Sequence, residues 1–263
     1  MLDEQRNIRL VAVTGERKKG VKFMSVYLGE FIGTILLVLL GDGVCCNVSL
    51  NKSGFKGGGA VHILIGWGMA VMVPAFAMSN FTGCPSAFNP AVTIGLAIRT
   101  GDWSTVPGQI VAQMLGGFIG AAILMLLYHD HINETAEDDV VRGCFCTAPS
   151  IPNQTLNFLS EFVATFVLVF TLALIPAGSD RTVWVLVYGV IVACGASFGG
   201  LTGYAMNAAR DTAPRIAYLC LAPNFGKKNG NWSYGWIPAV APICGGIVAS
   251  LLYNALAAAQ MFG

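Results

Sequence analysis

Two short segments carry the residues with the most chemical meaning, Asn89-Pro90-Ala91-Val92-Thr93 and Asn207-Ala208-Ala209-Arg210-Asp211. Asparagine is a favoured helix N-cap, and proline fits the first helical position because its missing N–H would lack a partner there anyway. Each segment is therefore predicted to open a helix. A helix start leaves about four backbone N–H groups unpaired and carries a partial positive charge. In an apolar chain such an end is tolerated only where protein buries it or where it lines a wet cavity. Two of them facing each other repel cations and protons. The non-helical stretches before them, Gly83–Phe88 and Gly200–Met206, offer backbone carbonyls as acceptors. Acceptors along one wall with asparagine donors at the middle suit neutral, hydroxylated solutes.

Other polar groups sit in apolar runs. Glu30 and Glu161 occupy matching places in Leu28-Gly29-Glu30-Phe31-Ile32-Gly33-Thr34 and Leu159-Ser160-Glu161-Phe162-Val163-Ala164-Thr165. Ionisable residues within a membrane are functional candidates by default, and a proton relay is one reading of this pair. No other acid is expected mid-span. Gln113 either backs a loop or packs with a satisfied amide. His62 and Trp67 read as interface or packing residues. His129 and His131 fall in a polar loop with Glu134, Glu137, Asp138 and Asp139, which reads as solvated rather than metal-binding. The eight cysteines lack zinc-finger spacing and read as buried free thiols. No Ser/His, paired-Asp or His-rich constellation lies in the spans, so neither an enzyme nor a cofactor or metal is expected.

The composition says what must position these groups. Of 263 residues, 55% are hydrophobic and 11% charged, with a net charge of +1. Soluble domains carry about 25% charged residues, so an integral membrane protein is expected, and the near-neutral balance argues against a nucleic-acid partner. Six apolar stretches are long enough to span: Phe23–Leu40, Ala60–Ser79, Val106–Tyr128, Leu156–Ile175, Thr182–Phe198 and Gly235–Ala259. Two, Asn89–Ile98 and Asn207–Leu221, are too short and are expected as half-helices. Each half of the chain runs spanning helix with Glu, spanning helix, short Asn-led segment, spanning helix. An odd number of spans per copy makes the copies face opposite ways, an inverted repeat. The expected organisation is a tail at 1–23, a first repeat at 24–129, a connecting loop at 130–155 and a second repeat at 156–263. The basic tail places both termini in the cytoplasm.

The paired motifs, Gly66-Trp67-Gly68 and the two Glu-Phe repeats resemble the aquaporin superfamily, and within it the glycerol facilitators, over roughly residues 25–260. The resemblance implies an all-α membrane protein of six transmembrane helices plus two re-entrant half-helices. It also implies a homotetramer in the plasma membrane, with a pore in every monomer. The pore motif would be Asn89, Pro90, Ala91, Asn207, Ala208 and Ala209. The selectivity filter would be Ile65, Gly195, Tyr204 and Arg210. Glu30, Glu161, Gln113 and Asp211 would support them, the glutamates by holding the re-entrant backbone. Ala208 departs from the family's proline, but alanine is a good helix former and the Asn207 cap is expected to survive. Ile65 departs from tryptophan and implies a wider, less polar filter. Glycerol with some water is the expected cargo, with a channel mainly for protonated lactic acid or dihydroxyacetone, or for water, as the alternative. A secondary transporter also fits inverted repeats, but would need an acid for ion coupling beyond the symmetric pair.

Overall fold

The computed structural model describes residues 2–175 and 182–262, without the side chains of residues 2–19, 21 and 22, where the expected tail lies. Ten α-helices follow in order: α1 Leu2–Ser49, α2 Gly59–Met78, α3 Pro90–Thr100, α4 Val106–Leu127, α5 His129–Asn133, α6 Asp138–Phe145, α7 Gln154–Ala173, α8 Val183–Thr202, α9 Ala208–Leu221 and α10 Trp232–Ala258. Six are long and apolar enough to cross a membrane: Phe23–Ser49 of α1, α2, α4, α7, α8 and α10. The first span is longer than its apolar run suggested. Gly41, Asp42 and Gly43 continue the helix because protein, not lipid, surrounds them, and a Cβ on Gly41 would lie 2.3 Å from the Trp67 ring. Asp42 is 1% exposed, so a third acid sits mid-span, contrary to expectation.

Small residues let the helices approach. A Cβ on Gly116 would meet the Phe31 carbonyl at 2.5 Å, and one on Gly117 the Ala209 carbonyl at 2.2 Å. In the second half a Cβ on Gly245 would meet the Phe162 carbonyl at 2.3 Å, and one on Gly246 the Ala91 carbonyl at 2.9 Å. These are matching contacts. In each half a glycine pair packs the last long helix against the first, and against the half-helix of the other half. Without a hydrophobic force between helices in lipid, such close backbone approach supplies the packing.

Helix α2 shows how the 3.6-residue period sorts side chains. Val61, Ile65, Met69, Val73 and Phe76 form an exposed apolar stripe. Leu64, Trp67, Val71 and Ala75 face inward, lining cavities.

The loop expected to be solvated is partly folded onto the bundle. Val141, Cys144 and Phe145 of α6 are buried against the neighbouring helices, while Asp139 stays outside. Asp138 accepts from the Tyr218 hydroxyl and from the Asn229 N–H at 3.1 Å. Burial alone would raise the Asp138 carboxyl, but hydrogen bonds from Tyr218, Asn229 and Lys228 outweigh it and hold the group below the usual aspartate range.

Candidate functional site

The two half-helices α3 and α9 meet N-terminus to N-terminus. Asn89 caps α3 by accepting the Ala91 N–H at 2.9 Å, and Asn207 caps α9 by accepting the N–H groups of Ala209 at 2.9 Å and Arg210 at 3.3 Å. Pro90 and Ala208 both take the first helical position, so the alanine leaves the cap geometry in place. Each asparagine also reaches across. The Asn89 amide donates to the Met206 carbonyl at 2.8 Å, and the Asn207 amide to the Phe88 carbonyl at 2.7 Å. A side-chain amide has two N–H bonds, so each asparagine keeps one for the space beside it.

The stretches before the caps are held from behind. Glu30 accepts the N–H groups of Ala87 at 2.9 Å and Phe88 at 2.8 Å, and Glu161 those of Ala205 at 3.0 Å and Met206 at 2.9 Å. In a trans peptide the carbonyl points opposite the N–H. The carbonyls of Ser86, Ala87, Tyr204 and Ala205 therefore turn away from the glutamates. These four residues line one cavity. The backbone conformation is costly, with φ of +54° at Ser86, +48° at Phe88, +38° at Tyr204 and +50° at Met206. Left-handed non-glycine residues cost about 1–3 kcal/mol each and persist where surrounding bonds fix them. The glutamates are those bonds. Gln113 donates to Glu30 at 2.7 Å and to Thr93 at 2.8 Å, tying α4 to both α1 and α3.

Two chambers adjoin this centre. One, of about 340 Å³, holds Asn89 and Asn207 on its polar side. Leu37, Val71, Leu168, Val187 and Ile191 form its apolar side. The other, a vestibule of about 590 Å³, is lined by Asp42, Leu64, Thr147 and Gly195, among others. Trp67, Tyr204 and Arg210 line both. The narrow place between the chambers is built from these three. The Arg210 guanidinium lies 3.9 Å from the centroid of the Trp67 ring, and the Trp67 indole N–H donates to the Cys45 thiol at 3.4 Å.

This placement corrects one expectation. Ile65 is 47% exposed and lines neither chamber, whereas Trp67 is 4% exposed and lines both. Two residues along an α-helix differ by about 200° in direction, so only one of the two faces inward. Ile65 belongs to the exposed stripe at 61, 65, 69, 73 and 76 and points outward with it. Gly195 does lie at the vestibule, but not as open space. A Cβ there would sit 2.5 Å from Leu64 and 2.8 Å from the Tyr204 ring, and one on Gly199 would sit 2.9 Å from the same ring. The two glycines form a seat for Tyr204.

Asp211 faces away from the constriction. Fully buried, it accepts from the Thr147 N–H and hydroxyl, both at 2.7 Å, and pairs with Arg215 at 2.8 Å. Arg215 in turn donates to the carbonyls of Gly230 at 2.6 Å and Thr147 at 2.8 Å. The pair pins the loops around the vestibule to α9. Sequence reasoning missed Arg215, although Asp and Arg at i and i+4 in an intramembrane helix were its signal.

Residues 17–253 match the Major intrinsic protein family. The chain is 44% identical over 234 residues to a probable glycerol uptake facilitator protein of Thermotoga maritima, covering 88% of this chain and 99% of that one. It is 44% identical over 236 residues to the glycerol uptake facilitator protein of Bacillus subtilis, covering 88% and 85%. Its fold matches the X-ray structure of the aquaglyceroporin from Plasmodium falciparum with a TM-score of 0.77 at 27% identity, over 90% of this chain and 98% of that one. With six apolar spans, two opposed half-helices and a family match over nearly its whole length, the chain belongs to the major intrinsic protein family.

Proposed function

We propose that the chain is a passive channel for glycerol and related small uncharged polyols, with some water, and that it excludes protons and ions. The observation that carries this reading is the two-faced passage. Carbonyls, asparagine amides and Arg210 stand on one side, and aliphatic and aromatic side chains on the other. A polyol has the same two faces. A hydroxyl stripped of water without a new partner costs roughly 2–7 kcal/mol. The carbonyl ladder, the free asparagine N–H groups and Arg210 offset that cost, while the carbon chain lies along Trp67, Tyr204 and the aliphatic wall.

The same features work against charge. Two helix N-termini and Arg210 place positive potential along the passage and repel cations. The asparagine donors orient a water molecule at the centre so that its hydrogens point outward, which interrupts a proton wire. Trp67 at the constriction removes the wider filter that Ile65 would have made, so the reading centres on glycerol rather than on bulkier solutes. The names of the relatives, glycerol uptake facilitators, support it. We further propose that Asn89, Asn207, Trp67, Gly195, Tyr204 and Arg210 carry selectivity, that the chain assembles as a homotetramer, and that it lies in the plasma membrane with both termini cytoplasmic.

Stopped-flow light scattering on proteoliposomes tests the reading. A glycerol gradient should give rapid re-swelling with a low activation energy, unaffected by ion gradients. Water efflux without re-swelling would reduce the protein to a water channel. Saturable, ion-dependent uptake would make it a transporter.

A further inference from the structure

Four carboxylates are buried near the passage: Glu30, Asp42, Glu161 and Asp211. Three are answered by the protein. Glu30 accepts from two backbone N–H groups and Gln113, Glu161 from two backbone N–H groups and Thr202, and Asp211 from Thr147 and Arg215. Asp42 is different. It is 1% exposed, accepts no hydrogen bond from any described residue, and leaves Oδ2 buried without a partner. Buried polar atoms are nearly always paired, and an unpaired one calls for an explanation such as a ligand or water.

The place of Asp42 supplies the explanation. It lines the vestibule, one side of which is Arg210. The Arg210 guanidinium rests on the Trp67 ring, and its side chain donates no hydrogen bond to a described residue. Asp42 and Arg210 line the same vestibule, yet they form no ion pair within contact distance among the described residues. The vestibule thus has an acceptor without a donor and a donor fork without an acceptor, both next to the constriction. A water molecule bridges such groups when the site is idle. A molecule with several hydroxyls fits better, because each hydroxyl both donates and accepts.

We propose that Asp42 is a specificity-determining residue, accepting a hydrogen bond from one hydroxyl of an incoming polyol while Arg210 donates to another. This rests on the polyol-channel reading. The carboxylate recovers part of the dehydration cost at the point where the solute leaves bulk water. Water has little need of it, since a single water can pair with Arg210 or a carbonyl alone. Asp42 therefore raises glycerol flux relative to water flux.

The test is the ratio of glycerol to water permeability in the same proteoliposomes, for the full chain and for Asp42→Asn and Asp42→Leu. Losing this hydrogen bond should lower the ratio about tenfold in Asp42→Leu, with water permeability within about twofold of the parent. Asp42→Asn, which keeps the shape and one acceptor oxygen, should fall between. A ratio unchanged in both variants would overturn the proposal, whether the two rates stay at the parent level or fall together as the fold weakens. Should Asp42→Leu fail to insert, the ratio in Asp42→Asn decides alone. Absence of glycerol flux in the parent chain would instead overturn the channel reading, and this proposal with it.

Discussion

At the residue scale, the constriction depends on which of two nearby side chains turns inward. Trp67 fills the space between the chambers and carries Arg210 on its ring face, while Ile65 points out of the bundle. Trp67→Ala should therefore admit larger polyols, raising five-carbon polyol flux at least severalfold, whereas Ile65→Ala should leave every solute rate within about twofold. Swelling rates across a polyol series check both. Equal effects would mean that the α2 faces are assigned wrongly. Gly195 offers a second probe. An added methyl would lie 2.5 Å from Leu64 and 2.8 Å from Tyr204. The Tyr204 ring would have to move into the passage, so Gly195→Ala should cut glycerol flux about tenfold and water flux much less. Preserved glycerol flux in that variant would show that the ring yields elsewhere.

At the element scale, each re-entrant stretch is fixed by one carboxylate behind it. Glu161 takes two backbone N–H groups and the Thr202 hydroxyl, the last at 2.7 Å. Glu161→Gln places an NH₂ where an acceptor is required and leaves at least one buried N–H unpaired. Such a loss costs about 1–3 kcal/mol. The variant should unfold at a lower temperature in detergent, and glycerol and water rates should fall together. That pattern separates a positioning residue from a filter residue, which changes the ratio. A proton relay predicts the contrary: intact stability with altered proton flux.

At the scale of the whole molecule, the inverted repeat brings two helix starts of opposite direction to one place. The crossed bonds Asn89 to Met206 and Asn207 to Phe88 tie the halves together at that point. The positive ends of both half-helices then share one small volume, where water screens them weakly. Proteoliposomes with an entrapped pH dye should consequently show no proton entry above the protein-free rate while glycerol passes rapidly. Proton flux that rises with protein content would contradict this electrostatic account.

Much of this was legible in the sequence because it depends on local or additive properties. Run lengths of apolar residues set the six spans, and Asn followed by a helix-permissive residue set the two caps. The order of the elements in each half required opposite orientation. The carbonyl ladder was legible in part: Gly83–Phe88 is non-helical as expected, but of Gly200–Met206 only residues 203–206 are, because α8 continues through Thr202 before Gly203 ends it in the left-handed region. Three features were decided only by tertiary structure. The inward choice of Trp67 over Ile65 depends on the rotation of α2 about its axis, which the packing of its neighbours fixes. The span of α1 reaches Ser49 because protein rather than lipid surrounds Asp42, and no property of the run itself says so. The docking of the loop at 134–147 through Asp138, Tyr218, Asp211 and Arg215 joins residues far apart in sequence. In each case the deciding quantity is the environment a side chain meets, and only the folded chain supplies that environment.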